Sequence, residues 1–445
     1  MEYLTLIFDY ILNDLGSTVF LPIIIFILGL VVRLKAKDSF TSALLFGVAL
    51  SGMSLVISYM TASIGPAAES MTETVGRNFS IIDGGWTTLA SITWSWRYAF
   101  ILFPVQIIVN ALLFIFKKTK TINVDMWNVW GKIFQTIIIQ SITGSIWLGL
   151  IVAIIRIIAE LIVGDALQPR IEEKTGIPGV TAPHSLMLFG AVVYPVEMLL
   201  RKIKFLNQSS FDTEWLRKKI GIFAENHVMG FILGIIFGLM ARYNFSEALQ
   251  LGIISATALH LLPIVTRIFM QAMSPISDAA GEFMRKKLKD DREVYIGLDT
   301  PFLMGSSEIW VSALLTVPVT LLWAIILPQN GILPFAGILN LAMAQAVFYV
   351  CNGNLLRMLI INFFVGSPLF LLAGTAVAPM ISELAIQNGV IEAGTLVSAA
   401  ALDAPIFVYA FSFIFRIEIL AFIAGAYWIF GYIMMIKDLK RSYAK

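Results

Sequence analysis

The residues best suited to chemistry in this sequence are isolated polar side chains within long apolar runs. Asp299 stands in the run Gly297-Leu298-Asp299-Thr300-Pro301, where the proline ends a preceding helix and frees backbone groups to face a ligand. A carboxylate accepts two or more hydrogen bonds from hydroxyl groups and can also take a proton from one. Asp299 is therefore predicted to bind a polyhydroxylated substrate and is the candidate for a catalytic base.

Imidazole and amide groups would complement that carboxylate. His184 follows Ala182-Pro183 at the start of an apolar run, and its ring can donate to or accept from a hydroxyl. Gln135 and Gln140 cannot share a helix face at a spacing of five residues, so at most one of them points inward together with Thr143. We predict that His184, Gln135 and Thr143 contact the substrate; the alternative is that they are buried structural residues.

Four further residues are weaker candidates for substrate binding. Asp83 precedes two glycines, which is also good turn chemistry. Glu308 begins an apolar run, where a carboxylate can instead compensate the dipole at a helix N-terminus. Asn352 and Asn354 flank a glycine within an apolar stretch, where they would contact either the substrate or freed backbone groups.

The composition requires that membrane helices position these side chains. The 445 residues are 58% hydrophobic and only 13% charged, whereas a soluble domain carries about 25% charged residues. The single cysteine excludes a disulfide framework and a cysteine-rich metal site. The sequence shows no Walker-type loop, nucleic-acid patch or metal-ligand cluster, so neither a cofactor nor a nucleic-acid partner is expected, and the expected surroundings are membrane lipid.

Apolar runs of about 20 residues predict an all-α polytopic membrane protein with about eleven transmembrane helices. Basic residues cluster between alternate spans, which places these clusters and the C-terminus in the cytoplasm and the N-terminus outside. The apolar runs at 126–166 and 335–380 could each also form a hairpin. The predicted spans are 15–32, 40–60, 98–116, 133–155, 182–200, 228–241, 248–265, 309–327, 335–364, 394–415 and 419–436.

The two halves of the sequence resemble each other. Phe40-Thr41-Ser42-Ala43-Leu44 matches Phe245-Ser246-Glu247-Ala248-Leu249, and Thr143-Gly144-Ser145 matches Asn352-Gly353-Asn354 in the same order along the chain. An odd number of spans in each half would insert the halves in opposite directions, as in alternating-access transporters. We predict inverted repeats at 1–205 and 206–415, followed by a last helix and cytoplasmic tail at 416–445.

One polar segment in each half is rich in Gly, Ser, Thr and Asp. These segments run from Ser63 to Thr93 and from Ser274 to Glu308. Non-helical backbone at membrane depth is tolerated only against protein or a wet cavity. They are predicted to be paired re-entrant hairpins that line the pathway, with ordinary loops as the alternative.

Several short runs carry a resemblance to a known family over nearly the whole chain. The sequence resembles the galactitol-type EIIC permeases of the bacterial phosphotransferase system, which are related to the ascorbate permeases. The runs that carry the resemblance are Leu15-Gly16 to Leu21-Pro22, Ser63-Ile64-Gly65-Pro66-Ala67-Ala68, Asn123-Val124-Asp125-Met126-Trp127-Asn128, Thr143-Gly144-Ser145, Pro183-His184, Ile296-Gly297-Leu298-Asp299 and Gly353-Asn354-Leu355.

The resemblance implies a homodimer in the bacterial inner membrane, in which a core domain moves like an elevator against a dimerising scaffold. It also implies that a separate EIIB protein, itself supplied by EIIA, donates phosphate from a cysteine to a bound sugar alcohol such as galactitol. By the same likeness the pocket would involve the segments around Gln135, His184 and Asp299. The alternative function is an ion-coupled secondary transporter of a polyol or sugar acid; a membrane enzyme or scaffold is a third. Whether the chain counts as an enzyme is left open, since it would be the transport subunit.

Overall fold

The computed structural model of the protein is mostly helical. It describes residues 17–73, 79–94, 96, 98–125, 127–207, 225–283, 293–334, 337, 339–387, 391 and 393–442. The helices of the first half are α1 (Ser17–Val31), α2 (Ala36–Glu73), α3 (Gly85–Trp94), α4 (Leu102–Ile115), α5 (Trp130–Thr143), α6 (Ile146–Thr175), α7 (Gly190–Leu200) and α8 (Lys204–Asn207). Those of the second half are α9 (Asn226–Met240), α10 (Phe245–Phe283), α11 (Ser307–Ile326), α12 (Leu341–Cys351), α13 (Leu355–Ile361), α14 (Ser367–Gln387), α15 (Pro405–Phe413) and α16 (Ile419–Ser442).

Four helical stretches in the described part of the chain are long and apolar enough to cross a membrane. They are α6, α11, the continuous stretch from α13 to α14, and α16. Six shorter apolar helices accompany them, at 18–31, 102–115, 185–200, 230–240, 341–351 and 405–416. The chain is therefore a helical membrane protein, while the total of eleven spans stays a prediction.

The helices α2 and α10 are much longer than the spans predicted within them. They contain 38 and 39 residues, so each is about 57 Å long at 1.5 Å per residue. They pack against each other, and α9 packs along α10. A side chain at Gly234 or Gly238 would lie within 3 Å of the α10 backbone, so these small residues permit the close helix approach that is common in membranes.

The polar segments predicted as hairpins begin as helix. Residues 63–73 continue α2 and residues 274–283 continue α10, even though Pro66 lies inside α2. A short strand and then a further helix follow in each segment. Residues 74–78 and 284–292, in the middle of the segments, lie outside the described residues.

In two of the predicted spans the structure follows the hairpin alternative and not the single helix, since each is broken by a glycine turn. The span 133–155 consists of α5 and α6, which pack against each other and meet at Gly144 with φ +72°. The span 335–364 breaks between α12 and α13, where Gly353 has φ +79°. Glycine adopts this left-handed backbone without a steric penalty. Ser145 and Asn354 then cap the following helices by accepting backbone N–H bonds.

Five short strands form two parallel sheets that join the halves of the chain. The strands are β1 (Ile81–Asp83), β2 (Thr121–Asn123), β3 (Val180–Thr181), β4 (Tyr295–Gly297) and β5 (Leu396–Ser398). β1 pairs with β5, and β4 lies between β2 and β3. Each sheet therefore contains strands from both halves of the chain.

The main apolar core extends through both halves around these sheets. Its large buried side chains include Phe189, Trp310 and Phe348. Burial of such side chains away from water is the dominant favourable contribution to folding outside the lipid-facing surface. The strand ends are consequently fixed within packed protein.

Candidate functional site

The three-stranded sheet brings three ionisable side chains together. Asp125 and Asp299 follow the ends of β2 and β4 by two residues, and His184 follows the end of β3 by three. Ligand sites commonly form outside the carboxyl ends of parallel strands, because side chains that follow neighbouring strands meet there. We call Asp125, His184 and Asp299 the strand-end site.

The close packing of the strands depends on Gly297 at the end of the central strand. A Cβ atom at this position would lie 2.6 Å from Cγ of Pro183 and 3.0 Å from Cα of Asn123. Real Cβ atoms do not approach other atoms that closely, so only glycine lets the flanking strands converge. Gly297 thus sets the spacing of the side chains that follow.

The strand-end site is compact and largely buried. The nitrogen and oxygen atoms that Asp125, His184 and Asp299 contribute lie within 4.8 Å of one another. Nε2 of His184 is 4.0 Å from Oδ1 of Asp299, and the two side chains are 7% and 16% exposed. A 4.0 Å separation is too long for a direct hydrogen bond, so the two side chains would be joined only by a bridging group such as a hydroxyl.

The backbone contact of His184 determines which ring nitrogen carries the proton in the neutral imidazole. The N–H of Leu186 donates to Nδ1 of His184 at 3.1 Å, so the neutral ring carries its proton on Nε2. That nitrogen is therefore a donor directed at Asp299. A metal ion would need the lone pair that the proton occupies, so the three residues do not fit a metal ion in this arrangement, whereas one donor beside two carboxylate acceptors fits a hydroxyl group.

The two carboxylates are held by uncharged donors. Nδ2 of Asn128 donates to both carboxylate oxygens of Asp125, at 3.1 and 2.9 Å. The N–H of Thr300 donates to Oδ1 of Asp299 at 2.6 Å. Among the described residues, no lysine or arginine forms an ion pair with either carboxylate. Their negative charge is therefore compensated only in part.

Asp299 lies in the non-helical segment between β4 and α11, outside the helices long enough to span a membrane. Burial, and then the neighbouring charge of Asp125, raise the pKa of the Asp299 carboxyl to about 6, although His184 opposes the shift. Such a carboxylate can accept a proton near neutral pH and release it again. This is the property expected of a general base.

Gln135 belongs to a second buried group, formed where α5 packs on α6. Oε1 of Gln135 accepts a hydrogen bond from Nη1 of Arg156 at 3.2 Å. Nε of Arg156 donates to Oε1 of Glu160 at 3.0 Å, and Nζ of Lys132 lies 2.6 Å from Oε2 of Glu160. We call this group, together with Asp403, the arginine cluster.

Three polar atoms converge at Gly131. Nη2 of Arg156 and Oδ2 of Asp403 form an ion pair at 3.6 Å, but neither of them, nor Oγ of Ser185, makes a hydrogen bond among the described residues. All three lie within 3.4 Å of the position that a Cβ atom of Gly131 would occupy. Buried polar atoms without partners cost free energy, so this arrangement suits a polar ligand that supplies the missing bonds.

The arginine cluster and the strand-end site are continuous. Nζ of Lys132 donates to the backbone oxygen of Asn128 at 3.4 Å, while the side chain of Asn128 holds Asp125. Ser185 directly follows His184 in the chain. The predicted residues Gln135, His184 and Asp299 therefore lie along one buried polar network.

Asp83 and Glu308 occupy different surroundings. The carboxylate of Asp83 accepts backbone N–H bonds from Gly85, Gly337 and Ala400 at 2.8–3.1 Å, which ties β1 to the second half of the chain. Glu308 is buried in the first turn of α11. These positions agree with the turn and helix-end alternatives, and a role in substrate binding stays a prediction.

Thr143, Asn352 and Asn354 all stabilise the two helix breaks. Thr143 donates to the backbone oxygen of Ile139 and accepts from the N–H of Ser145. Asn352 ends α12 in the left-handed conformation, with φ +52°. Asn354 caps α13 and also donates to the backbone oxygen of Leu206. Contact with freed backbone groups is thus present, whereas contact with substrate stays a prediction.

The sequence predictions did not single out Asp125 or Arg156 as site residues. Asp125 lay within the run 123–128 that supported the family resemblance. Arg156 and Glu160 are ionisable residues four apart in a long apolar helix, and this signal alone marks functional candidates in membrane proteins. Both omissions concern residues that pair with predicted ones.

Similar proteins agree with this description. A family model described as "PTS system sugar-specific permease component" matches residues 10–395. The chain is 32% identical over 395 residues to the "PTS system galactitol-specific EIIC component" of Escherichia coli (strain K12), covering 88% of this chain and 86% of that protein.

A second relative gives a similar result over slightly more of the chain. It is a "Putative permease IIC component" of the same strain, 32% identical over 406 residues and covering 89% of this chain and 90% of that protein. The match of the family model to most of the chain, with the buried polar network inside a helical membrane protein, establishes the assignment. This chain belongs to the EIIC-GAT family of sugar-specific permease components of the phosphotransferase system.

Proposed function

We propose that the chain is the permease subunit that carries a sugar alcohol, galactitol or a related polyol, across the inner membrane while the polyol is phosphorylated. The observation that supports this most directly is that Nε2 of His184 lies 4.0 Å from Oδ1 of Asp299, with a carboxylate oxygen of Asp125 within 4.8 Å of both side chains. A polyol hydroxyl both accepts and donates hydrogen bonds, so it matches this set. The ion pair of Arg156 with Asp403 and the hydroxyl of Ser185, which lack hydrogen bonds at Gly131, would bind further hydroxyls.

Phosphoryl transfer at this site requires a base, which Asp299 would supply, and a phosphoryl donor, which would come from a separate protein. The hydroxyl oxygen of the bound polyol forms a bond to the phosphorus of the phosphocysteine of EIIB. The S–P bond breaks and its electron pair stays on sulfur, while the hydroxyl proton passes to the carboxylate of Asp299. His184 and Asp125 orient the hydroxyl, so the reaction gains mainly from positioning.

The pairing of strands from the two halves supports an inverted-repeat transporter. β1 of the first half pairs with β5, and β4 of the second half pairs with β2 and β3. The breaks at Gly144 and Gly353 also share a left-handed glycine and a capped helix start. We propose that the sheets and broken helices form a moving core, which shifts like an elevator against a scaffold that includes α2 and α10.

The membrane arrangement follows the same proposal. The chain would form a homodimer through its scaffold, with eleven spans per protomer, the N-terminus outside and the C-terminus in the cytoplasm. Lys117, Lys118, Lys437 and Lys440 would then all lie on the cytoplasmic side. EIIB and EIIA would act there as separate proteins.

Reconstitution with the donor protein tests the proposal. The purified permease would be placed in vesicles with phosphorylated EIIB and a panel of labelled hexitols, pentitols and ascorbate. We expect one polyol to bind and to appear as its phosphate only when phosphorylated EIIB is present. Absence of phosphorylated product for every member of the panel would contradict the proposal.

The pairing of Asp125 with Asp299 favours one alternative, an ion-coupled carrier. Two buried carboxylates near a single imidazole can bind a proton, and protonated carboxyls often couple transport to a gradient. That carrier would release an unmodified polyol or sugar acid and would depend on the proton or sodium gradient. The same vesicles distinguish the two functions by the chemical form of the internal product.

A further inference from the structure

Apolar side chains of α1 and α2 cover the strand-end site on one side. Leu21 and Ile25 of α1 and Phe46 of α2 line a small cavity that also reaches Asp125 and Asp299. The three apolar residues are only 3%, 1% and 2% exposed. Leu21 and Ile25 share one face of α1 because they are four residues apart. We call Leu21, Ile25 and Phe46 the apolar wall.

Close packing of α1 on α2 holds the apolar wall together. A Cβ atom at Gly47 would lie 2.9 Å from Cγ of Pro22 and 3.1 Å from the backbone oxygen of Thr18. A glycine at this position therefore lets the two helices approach closely. Leu21 and Phe46 directly precede Pro22 and Gly47 in the chain, so this contact brings the wall residues of the two helices together.

The cavity between the apolar wall and the two carboxylates is too small for a sugar alcohol. Its volume is about 10 Å³, and a cavity of that size holds one water molecule at most. The structure therefore shows the strand-end site closed against α1 and α2. A polyol can enter only if the part of the chain that carries Asp299 and the helices that carry the wall move apart.

The two sides of this contact match the two kinds of surface on a polyol. Each carbon atom of a polyol carries a hydroxyl group and at least one C–H bond. The strand-end site offers hydrogen bonds to hydroxyls, whereas the apolar wall offers none and would remove C–H surface from water. The face of an aromatic ring carries partial negative charge, so the ring of Phe46 would attract the weakly positive C–H bonds of the substrate.

The charges around the cavity disfavour an anionic substrate. The two carboxylates of the strand-end site face the apolar wall, which supplies no cation. The cations of the arginine cluster are already paired, since Glu160 forms ion pairs with both Lys132 and Arg156. Arg156 also lies 3.6 Å from Asp403. A substrate carboxylate buried here would lack a counter-charge, which is strongly unfavourable.

We infer that the apolar wall determines substrate specificity: it binds the C–H side of the polyol and, because it offers no counter-charge, excludes sugar acids. This inference rests on the proposed function and narrows its substrate to uncharged polyols. Phe46 is the central residue, because its ring supplies the aromatic face. Since α2 belongs to the proposed scaffold, the ring would stay in place while the core carries the substrate along it.

A purely structural role would also bury three apolar side chains. The two roles differ in what a substitution changes, because a structural residue contributes to stability alone, whereas a residue of the wall also contributes to polyol affinity. Phe237 of α9 provides the comparison. It is buried as well, at 6% exposed, but does not line the cavity.

The test makes the same substitution at these two phenylalanines. Phe46→Leu and Phe237→Leu each remove a ring and keep a branched apolar side chain, and Phe46→Ala removes more surface. If the alanine variant does not fold, the leucine variants alone decide the result. For each purified full-length protein, the melting temperature is measured, together with equilibrium binding of the polyol that wild type phosphorylates and of the sugar acid with the same carbon chain. Phosphorylated EIIB then gives kcat and the KM for polyol.

We expect Phe46→Leu to bind the polyol about fivefold more weakly than wild type, and Phe46→Ala about twentyfold more weakly. The KM for polyol should rise in proportion, while kcat stays within about twofold of wild type. Phe237→Leu should bind the polyol like wild type, although its melting temperature falls by a similar amount. Wild type should bind the sugar acid at least about a hundredfold more weakly than the polyol.

Equal polyol affinities for Phe46→Leu and Phe237→Leu would overturn the inference. A sugar acid that binds wild type as tightly as the polyol would overturn it as well. Failure of wild type to phosphorylate any polyol would instead contradict the proposed function, so the two failures are distinguishable.

Discussion

Nε2 of His184 faces Oδ1 of Asp299 across 4.0 Å, while Nδ1 of the same ring accepts the backbone N–H of Leu186. One side of the ring thus holds the local backbone, and the other presents a proton donor to a carboxylate. The two nitrogens have separable roles, one in stability and one in binding. Substitutions can test each role on its own.

His184→Asn and His184→Gln should separate these roles. The amide oxygen of Asn lies close to the position of Nδ1 and can accept from Leu186, whereas the amide nitrogen of Gln lies close to that of Nε2. We expect His184→Asn to keep its thermal stability but to bind polyol about fivefold more weakly, since one hydrogen bond contributes about 1 kcal/mol. His184→Gln should lose thermal stability but keep its affinity for polyol. Thermal unfolding and equilibrium binding measure the two properties. Equal losses of both properties in both variants would contradict the division.

Asp299→Asn should abolish phosphorylation and leave membrane insertion intact. The amide keeps the shape of the side chain but cannot take the hydroxyl proton, so we expect at least a hundredfold lower rate, in the range typical of general-base removal. Formation of polyol phosphate in vesicles with phosphorylated EIIB measures it. Asp278→Asn, at an exposed position on α10, is the matched control. An unchanged rate in Asp299→Asn would remove this residue from the mechanism.

The rate of phosphorylation should depend on pH through Asp299. The carboxyl has a pKa raised to about 6, and only its deprotonated form accepts a proton, so activity should be present above this pH and lost below it. At one unit below the pKa we expect about a tenfold lower kcat than on the plateau. The measurement is kcat between pH 5 and 8 at saturating phosphorylated EIIB. A profile that rises toward low pH would have the wrong sign.

Gly297→Ala should destabilise the protein because the added methyl group collides with Pro183 and Asn123. Overpacking of this kind costs about 1–3 kcal/mol, and the displaced strands would also weaken polyol binding. Gly425→Ala is the matched control, since a Cβ atom there would meet only Ala410, at 3.8 Å. Thermal unfolding of both variants in the same detergent checks the difference, and similar melting temperatures would argue against the steric requirement.

Glu160→Gln should be strongly destabilising. It would leave the buried cations Lys132 and Arg156 without the carboxylate that bridges them, and breaking a buried ion pair costs about 3–5 kcal/mol. Glu383→Gln makes the same change at an exposed residue that only accepts a hydrogen bond from Ser141, so it should cost little. Denaturation of both proteins measures the contrast. Equal stability would show that the arginine cluster is not held by its charges.

The sequence was sufficient to predict the membrane class and the family. Apolar content and the short runs around His184 and Asp299 pointed to a sugar-specific permease, and the family assignment confirms it. The spacing of polar residues in apolar runs is a local property, so it can be read from one chain. Gln135 and His184 were accordingly chosen as candidates, and their contact with substrate stays a prediction.

Other features depend on contacts between distant residues. Asp125 becomes a site residue only because β2 pairs with β4, where Ile122 lies opposite Ile296, 174 residues later in the sequence. Three-residue strands carry too little sequence signal to predict that register. For the breaks at Gly144 and Gly353 the sequence left a single span and a hairpin both open, because both flanks are apolar. Hydropathy measures affinity for lipid and does not record where a helix turns back.

The placement of β4 between β2 and β3 also determines when the site can form during synthesis. A ribosome that has made only the first half has produced Asp125 and His184, but not the central strand that aligns them. Helices α1 to α7 can enter the bilayer at that stage, while the strand-end site cannot form until residue 299 emerges. A prematurely terminated chain would consequently be an inserted but functionless protein, and quality control could not rely on insertion alone to recognise it.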